Sequence, residues 1–244
     1  MKKSTPVIIS ALVIYIGLLP TPCGAREQLL RINCTLHSPY ETFFFELVKE
    51  ICDRNHIEVE RNTPPVGRSL IHVNEGIDDG DGPRISGLSS TFPNLIKIPE
   101  PFGEFIFGAF AKSEKITVDG WSSLKDLNVA YVLGWKIFDN HVTAARSVTK
   151  VKNKDLLFGM LDAGRADVAL LTKLAGYAAI QKSNLENMRF LEPPLAIEPN
   201  FLYLHKRHQR LAPNLAQTLR EIKTDGTYQR LYRKIISPDL PEQH

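Results

Sequence analysis

Short apolar runs alternate along this chain with amphipathic stretches of helical period, and that alternation restricts it to an α/β fold. Leu29 to Thr35 alternates in polarity and reads as a strand. Glu41 to Asn55 follows, with Phe44, Leu47, Val48 and Ile51 at the spacing of one helix face. Ile57 to Arg61 is a second strand, and Ser69 to Glu75 a short helix stopped by Gly76. Ile77 to Pro83 reads as a Gly/Asp turn, Leu95 to Ile98 and Phe105 to Ala111 as buried strands. A β-α-β-α-β order predicts a mostly parallel sheet with helices on both faces.

A similar pattern then restarts. Ser122 to Leu127 is a short helix, Val129 to Val132 a strand ending at Gly134, and Asp139 to Ser147 a helix. Lys154 to Ala163 is a helix closed by Gly164, followed by a strand at Val168 to Leu171 and a helix at Leu174 to Gln181. Phe190 and Leu191 lead out, Phe201 to His205 is a last strand, and two helices, Leu211 to Lys223 and Thr227 to Ile236, close the chain. The chain reads as two α/β units, with the final helices returning to the first and a frayed tail from Pro238.

The chain has 244 residues, 43% apolar and 23% charged, which excludes a disordered chain, a collagen, a disulfide-dense miniature and a polytopic membrane protein. Its formal charge of +3 includes Lys2 and Lys3. These two residues precede an apolar run, Pro6 to Leu19, and a small-residue site at Cys23-Gly24-Ala25, the pattern of a secretory signal peptide over residues 1–25. The run is about 14 residues long, short of the ~20 that span a bilayer. A lipobox is rejected because Pro20 and Pro22 occupy its defining places. Cleavage would leave a mature chain from Arg26 in the periplasm with a charge of only +1, too little to argue for nucleic acid or a membrane surface. The mature chain keeps Cys34 and Cys52. An oxidising compartment permits a bridge, but a strand end and the far end of the following helix lie about 15 Å apart, beyond the ~7 Å a disulfide tolerates. Two buried thiols are expected.

The second half carries a resemblance. Leu161 to Leu170 (LDAGRADVAL) resembles the "L..GR.D" strand entry of the bacterial extracellular solute-binding proteins of family 3, the periplasmic components best known from amino-acid uptake. Phe201 to Leu204, then Leu211 to Ile236 with Asp225-Gly226-Thr227, resembles that family's ending, and Val129 to Gly134 its second-lobe strand and turn. Asn94 to Phe102 occupies the place of the strand before the first crossover. The resemblance implies a type II periplasmic-binding-protein-like fold: two α/β lobes joined by two crossover strands, closing on a ligand by a hinge. Lobe one would comprise residues 26–109 and 201–244, lobe two residues 110–200, with hinges near Gly108 to Lys112 and Glu198 to Tyr203. It also implies a small-molecule solute, a monomer, and a membrane permease of ABC-transporter type or a membrane sensor as partner. Two departures matter. Where amino-acid binders carry an Arg in a "T..R" motif, this chain has Thr91-Phe92-Pro93-Asn94; where they carry an Asp after the "GR.D" strand, it has Lys173. Losing both a guanidinium clamp and an ammonium partner argues against an ordinary α-amino acid.

Ligands in open α/β sheets gather at the carboxyl ends of the strands. That rule selects Tyr40 after the first strand, Arg68 after the second, Asp79 and Arg84 in the Gly/Asp stretch, and Trp135 and Lys136 after Gly134, with Lys173 after the last strand of the second unit. The four cations suit an anionic or polar solute. The acidic run at Asp78, Asp79 and Asp81 fails the register of a calcium loop, so no metal and no cofactor are expected. No GxSxG, HExxH, Walker A or GxGxxG is present, so no catalytic residue is assigned. An enzyme on this scaffold, such as a dehydratase, would have to draw on Glu104, His37 or Glu198.

Overall fold

The computed structural model describes residues 28–34, 38–65 and 67–239. The leader expected over residues 1–25 and His37 lie outside these residues, as does the tail beyond Asp239. The chain opens with β1 (Gln28–Asn33), α1 (Pro39–Arg54), β2 (Ile57–Asn62), α2 (Ser69–Asn74), β3 (Gly80–Ile85), β4 (Leu95–Lys97) and β5 (Gly103–Ala111). It continues through β6 (Asn128–Val132), α3 (Lys136–His141), β7 (Ser147–Val151), α4 (Lys154–Asp162), β8 (Val168–Thr172), α5 (Lys173–Lys182) and β9 (Arg189–Phe190). β10 (Ala196–His205), α6 (Ala212–Thr224) and α7 (Thr227–Ile235) complete it.

The strands form one sheet in the order β2-β1-β3-β10-β5-β8-β6-β7, with β4 on β10 and β9 on β5. β1, β2 and β3 are parallel, as are β6, β7 and β8. Between these trios lie β5 and β10, antiparallel to each other and to their outer neighbours. The sheet is therefore mixed rather than mostly parallel. The two parallel trios match the two α/β units, and the long central pair belongs to neither alone. β10 is also twice the length expected, because Ala196 to Asn200 pairs with Gly103 to Phe107 before the apolar run begins.

Local chemistry explains the elements. α1 starts where the Ser38 side chain accepts the Glu41 N–H, with Pro39 in the first turn, and it buries Phe43, Phe44, Leu47, Val48 and Ile51 as one stripe. Of the stretch read as a Gly/Asp turn, Ile77 to Asp79 is a bend, but Gly80 to Pro83 belongs to β3. Its glycines serve packing: a Cβ on Gly80 would lie 2.7 Å from Ile32 Cδ1 and 2.8 Å from Leu204 Cδ2. The helix expected over Asp139 to Ser147 ends instead at His141, and Ser147–Val151 is the edge strand β7. Val148, Thr149 and Val151 favour that state through β-branching, and exposure of the edge hides the alternation.

The core follows the sheet. In the first half, α1, α6 and α7 pack on β1 and β10, burying Leu30, Ile32, Leu202 and Leu219. The closing helices thus return to the first unit. In the second half, Phe107, Tyr131 and Phe138 fill one face of the sheet, and Phe110, Phe158 and Phe190 the other. Cys34 and Cys52 are both buried; burial pushes both thiols up to about 12. Among the described residues no helix is long and apolar enough to cross a membrane.

Candidate ligand-binding cleft

The parallel trios aim helix starts at a common seam. From the first half come the start of α1 and the turn into α2; from the second come the starts of α3, α4 and α5. The halves meet there. Leu174, at the start of α5, packs against the core of the first half, and α1 touches α5. Phe105 on β5 packs against the cores of both halves.

An aromatic row crosses this seam. Tyr40 lies 5.4 Å from Phe105, Phe105 lies 5.8 Å from Phe107, and Phe107 lies 5.6 Å from Trp135. The row links two of the residues selected from sequence. Tyr40 is buried, with its hydroxyl 2.7 Å from Asn200 Nδ2 and 3.0 Å from Asn200 Oδ1. Burial pushes its phenol well above the ordinary tyrosine range. A Cβ on Gly103 would stand 2.5 Å from the Tyr40 hydroxyl, so glycine is required for the ring to reach β10. Trp135 is half-buried at the start of α3, following Gly134 at φ +93°. Replacing Tyr40 by Phe strips the fully buried Asn200 side chain of its partner. The variant should lose about 1–3 kcal/mol of stability, read by denaturant unfolding; an unchanged midpoint would refute the role given to this pair.

The charged residues fall into different settings. Arg84 donates through Nε to Asp81 Oδ1, and its Nη2 lies 3.4 Å from Ser69 Oγ. Its side chain is 40% exposed, while that of Asp81 is wholly buried. Burial raises the Asp81 carboxyl above its usual range against the opposing pull of Arg84. Arg68 is exposed at the turn into α2. Asp79 sits just before β3, at the amino end of that strand. Its Oδ2 accepts the Arg31 N–H at 2.8 Å, and its Oδ1 meets Arg207 Nη2 and His208 Nε2, both at 2.5 Å. Burial would raise its carboxyl, but these partners outweigh that and hold it well below the usual carboxylate range. Lys136 is exposed in the first turn of α3. Lys173 opens α5 with Nζ 2.7 Å from Glu192 Oε1 and 5.0 Å above the Phe190 ring. The acid–base candidates Glu104 and Glu198 lie on the paired strands β5 and β10, exposed and half-buried respectively.

Two further residues belong to the seam and were not selected from sequence. Lys154, in the first turn of α4, is half-buried; burial lowers its ammonium, and Glu41 of α1, in the opposite half, draws it back up. The signal for Lys154 was present in Asn153, whose side chain caps α4 by accepting the Leu156 N–H. Glu41 also lies within electrostatic reach of Arg84. Glu41 thus acts on a guanidinium of its own half and on an ammonium of the other.

No family profile matches the chain. A curated relative from Shewanella oneidensis, described as an uncharacterized protein, is 25% identical over 173 residues, 68% of this chain; the chain spans 65% of that relative's length. Among solved structures, an ancestral arginine-binding protein bound to arginine superposes with a TM-score of 0.69 at 20% identity, over 86% of this chain and 98% of that one. The GluR0 ligand-binding core in complex with L-glutamate gives 0.73 at 12% identity, over 87% and 99%. A histidine kinase sensor domain with similarity to periplasmic binding proteins gives 0.68 at 15% identity, over 86% and 96%. The chain has the two-lobe α/β fold of the periplasmic binding proteins, as its resemblance to the extracellular solute-binding proteins of family 3 implies.

Proposed function

We propose that this chain is an exported solute-binding protein that closes its lobes on a small polar, anionic solute and delivers it to a membrane transporter. Lobe one is residues 26–109 with 201–244, lobe two is residues 110–200, and the crossovers run through β5 and β10. The observation that supports this reading is the seam itself: the aromatic row from Tyr40 to Trp135 runs from one half to the other, and Glu41 acts on Arg84 of the first half and Lys154 of the second. A ligand bridging the two sides stabilises the closed form by its preference for it.

The ligand class follows from the charges. Arg84 and Lys154 act on Glu41 from the two halves, and Arg68 and Lys136 add exposed cations at the starts of α2 and α3. Asn94, which stands in place of the family's Arg, is committed to the fold through Nδ2 to the Asn74 carbonyl at 2.8 Å. Lys173, which stands in place of the family's Asp, is paired with Glu192. The replacement of the family's Asp by Lys173 removes the partner of an ammonium and so disfavours an α-amino acid, and the anion's partners must then come from other cations. The protein acts as a monomer, without catalysis. The likeness to a sensor domain supports a second reading, in which the closed form signals to a membrane kinase rather than feeding a permease.

The test is a thermal-shift screen of residues 26–244 against organic acids, amino acids, polyamines and sugars. A ligand at a hundred times its Kd adds about 2.7 kcal/mol to the folded state, and an organic acid should give the largest shift. A flat response across all four classes would refute the reading.

A further inference from the structure

The face of the first lobe's sheet that meets α2 is built from polar groups rather than hydrocarbon. Asn33 and Asp81 are direct register partners on the parallel strands β1 and β3, so their side chains project side by side from the same face. Asn33 Nδ2 donates to the Ser69 carbonyl and to Asp78 Oδ2, each at 3.1 Å. Asp78 also takes Asn62 Nδ2 at 3.0 Å on Oδ1 and faces His72 Nδ1 at 3.2 Å on Oδ2. Asp78 is thus surrounded by donors. Asp81 is not: Oδ1 receives Arg84, while Oδ2 has no hydrogen-bond partner among the described residues. Asn33 Oδ1 is likewise buried and unpartnered. Two adjacent acceptors in a sealed interior violate the rule that buried polar atoms are paired. A hydrogen on Asp81 Oδ2 would turn that atom into a donor on the same face as the unpartnered Asn33 Oδ1, because a protonated carboxyl donates and an ionised one does not.

The surrounding charges favour the same assignment. Arg84 is the cation bonded to Asp81. Asp78 on the approach to β3 repels a charge on Asp81, and Glu41 at the start of α1 already acts on Arg84, so an ionised Asp81 would add a second carboxylate to that guanidinium. The residue after β1 contributes the Cys34 thiol, α2 contributes Ser69 and His72, and β10 contributes Tyr203, whose hydroxyl is spent on the Ile85 carbonyl at 3.2 Å. Asp79 is occupied by Arg31, Arg207 and His208.

We propose that Asp81 carries a proton shared with Asn33, and that this neutral carboxyl seats Arg84 without cancelling its charge, leaving the guanidinium available to an anionic group in the cleft. Asp81 is then a positioning residue. Arg84 is held through Nε and Nη2, and 40% of its side chain remains exposed. The role in ligand capture rests on the reading above, whereas the protonation does not.

The test uses ligand-free residues 26–244 in three forms: wild type, Asp81→Asn and Asp81→Ala. In carbon-13 aspartate-labelled wild type, the resonance lost in Asp81→Asn should keep its acid-form shift at pH 7. The native carboxyl titrates above its unfolded value of 3.8, so its contribution is complete below that pH and is lost as pH rises toward the native value. Asn replaces the hydroxyl by an amide donor and cannot ionise. Its melting temperature should equal or exceed that of wild type at pH 7, with the difference growing between pH 4 and 7, while Asp81→Ala melts lower than both. An ionised resonance at pH 7 would overturn the proposal. So would an Asp81→Asn variant that fails to fold or melts more than about 3 °C below wild type, because an isosteric donor would then have failed to replace the acid. These readouts involve no solute, so a flat ligand screen leaves them standing, and their failure leaves the capture of a solute standing.

Discussion

Phe110→Ala should cost about 3–5 kcal/mol of unfolding free energy. Phe110 is completely buried on β5 and makes edge-on contacts with three rings: Phe158 at 5.4 Å, Tyr177 at 5.5 Å and Phe190 at 5.2 Å. Beneath it lies Gly176 of α5, where a Cβ would already clash with the ring. Truncation therefore opens a void that borders a residue with no side chain to swing into it. The neighbouring rings are fixed by their own contacts, so the cavity cannot collapse, and the loss belongs at the upper end of the range. Denaturant unfolding followed by circular dichroism measures it. A loss below about 1 kcal/mol would mean that the second core repacks freely, contrary to the geometry described.

Arg84→Gln should weaken binding of the preferred organic acid by about 10- to 100-fold, or roughly 1.4–2.8 kcal/mol. The guanidinium is anchored by Asp81, and its side chain remains partly exposed. It is thereby preorganised, and an anionic group arriving in the cleft meets a donor fork already in place. Lys173 provides the contrast. Its ammonium is satisfied by Glu192 and the Phe190 ring, so Lys173→Gln should change the affinity by less than threefold, about 0.7 kcal/mol. Isothermal titration with the acid giving the largest thermal shift separates the two variants. Equal losses, or no loss in Arg84→Gln, would remove Arg84 from the ligand's surroundings.

Much of the fold is legible in the sequence because the physics involved is local. The apolar stripe of α1, the Gly164 stop and the VALL core of β8 each reveal an element within about ten residues. Where the reading failed, the deciding contact was distant. β3 looks like a turn because Gly80, Gly82 and Pro83 are turn residues, yet the glycines are there to admit Ile32, Leu204 and Phe44 from other elements. β7 is an edge whose side chains face solvent on both sides, so burial imposed no period on it. The seam shows the same division. Tyr40 and Trp135 follow from the rule that ligands gather where parallel strands end, and the structure joins them through Phe105 and Phe107. Glu41 and Lys154 acquire their relation only when two segments more than a hundred residues apart are brought together. Asn33 looks like an ordinary end to a strand until its register with Asp81 is known.

The long central pair of strands has a mechanical consequence. Gly103 to Phe107 and Ala196 to Asn200 are bonded to each other along the whole stretch between the two cores. A laced pair of this kind flexes and twists as a band but resists being sheared in its own plane. Any rocking of one half against the other is thereby confined to a narrow track, and the same groups return to the same opposition on every stroke.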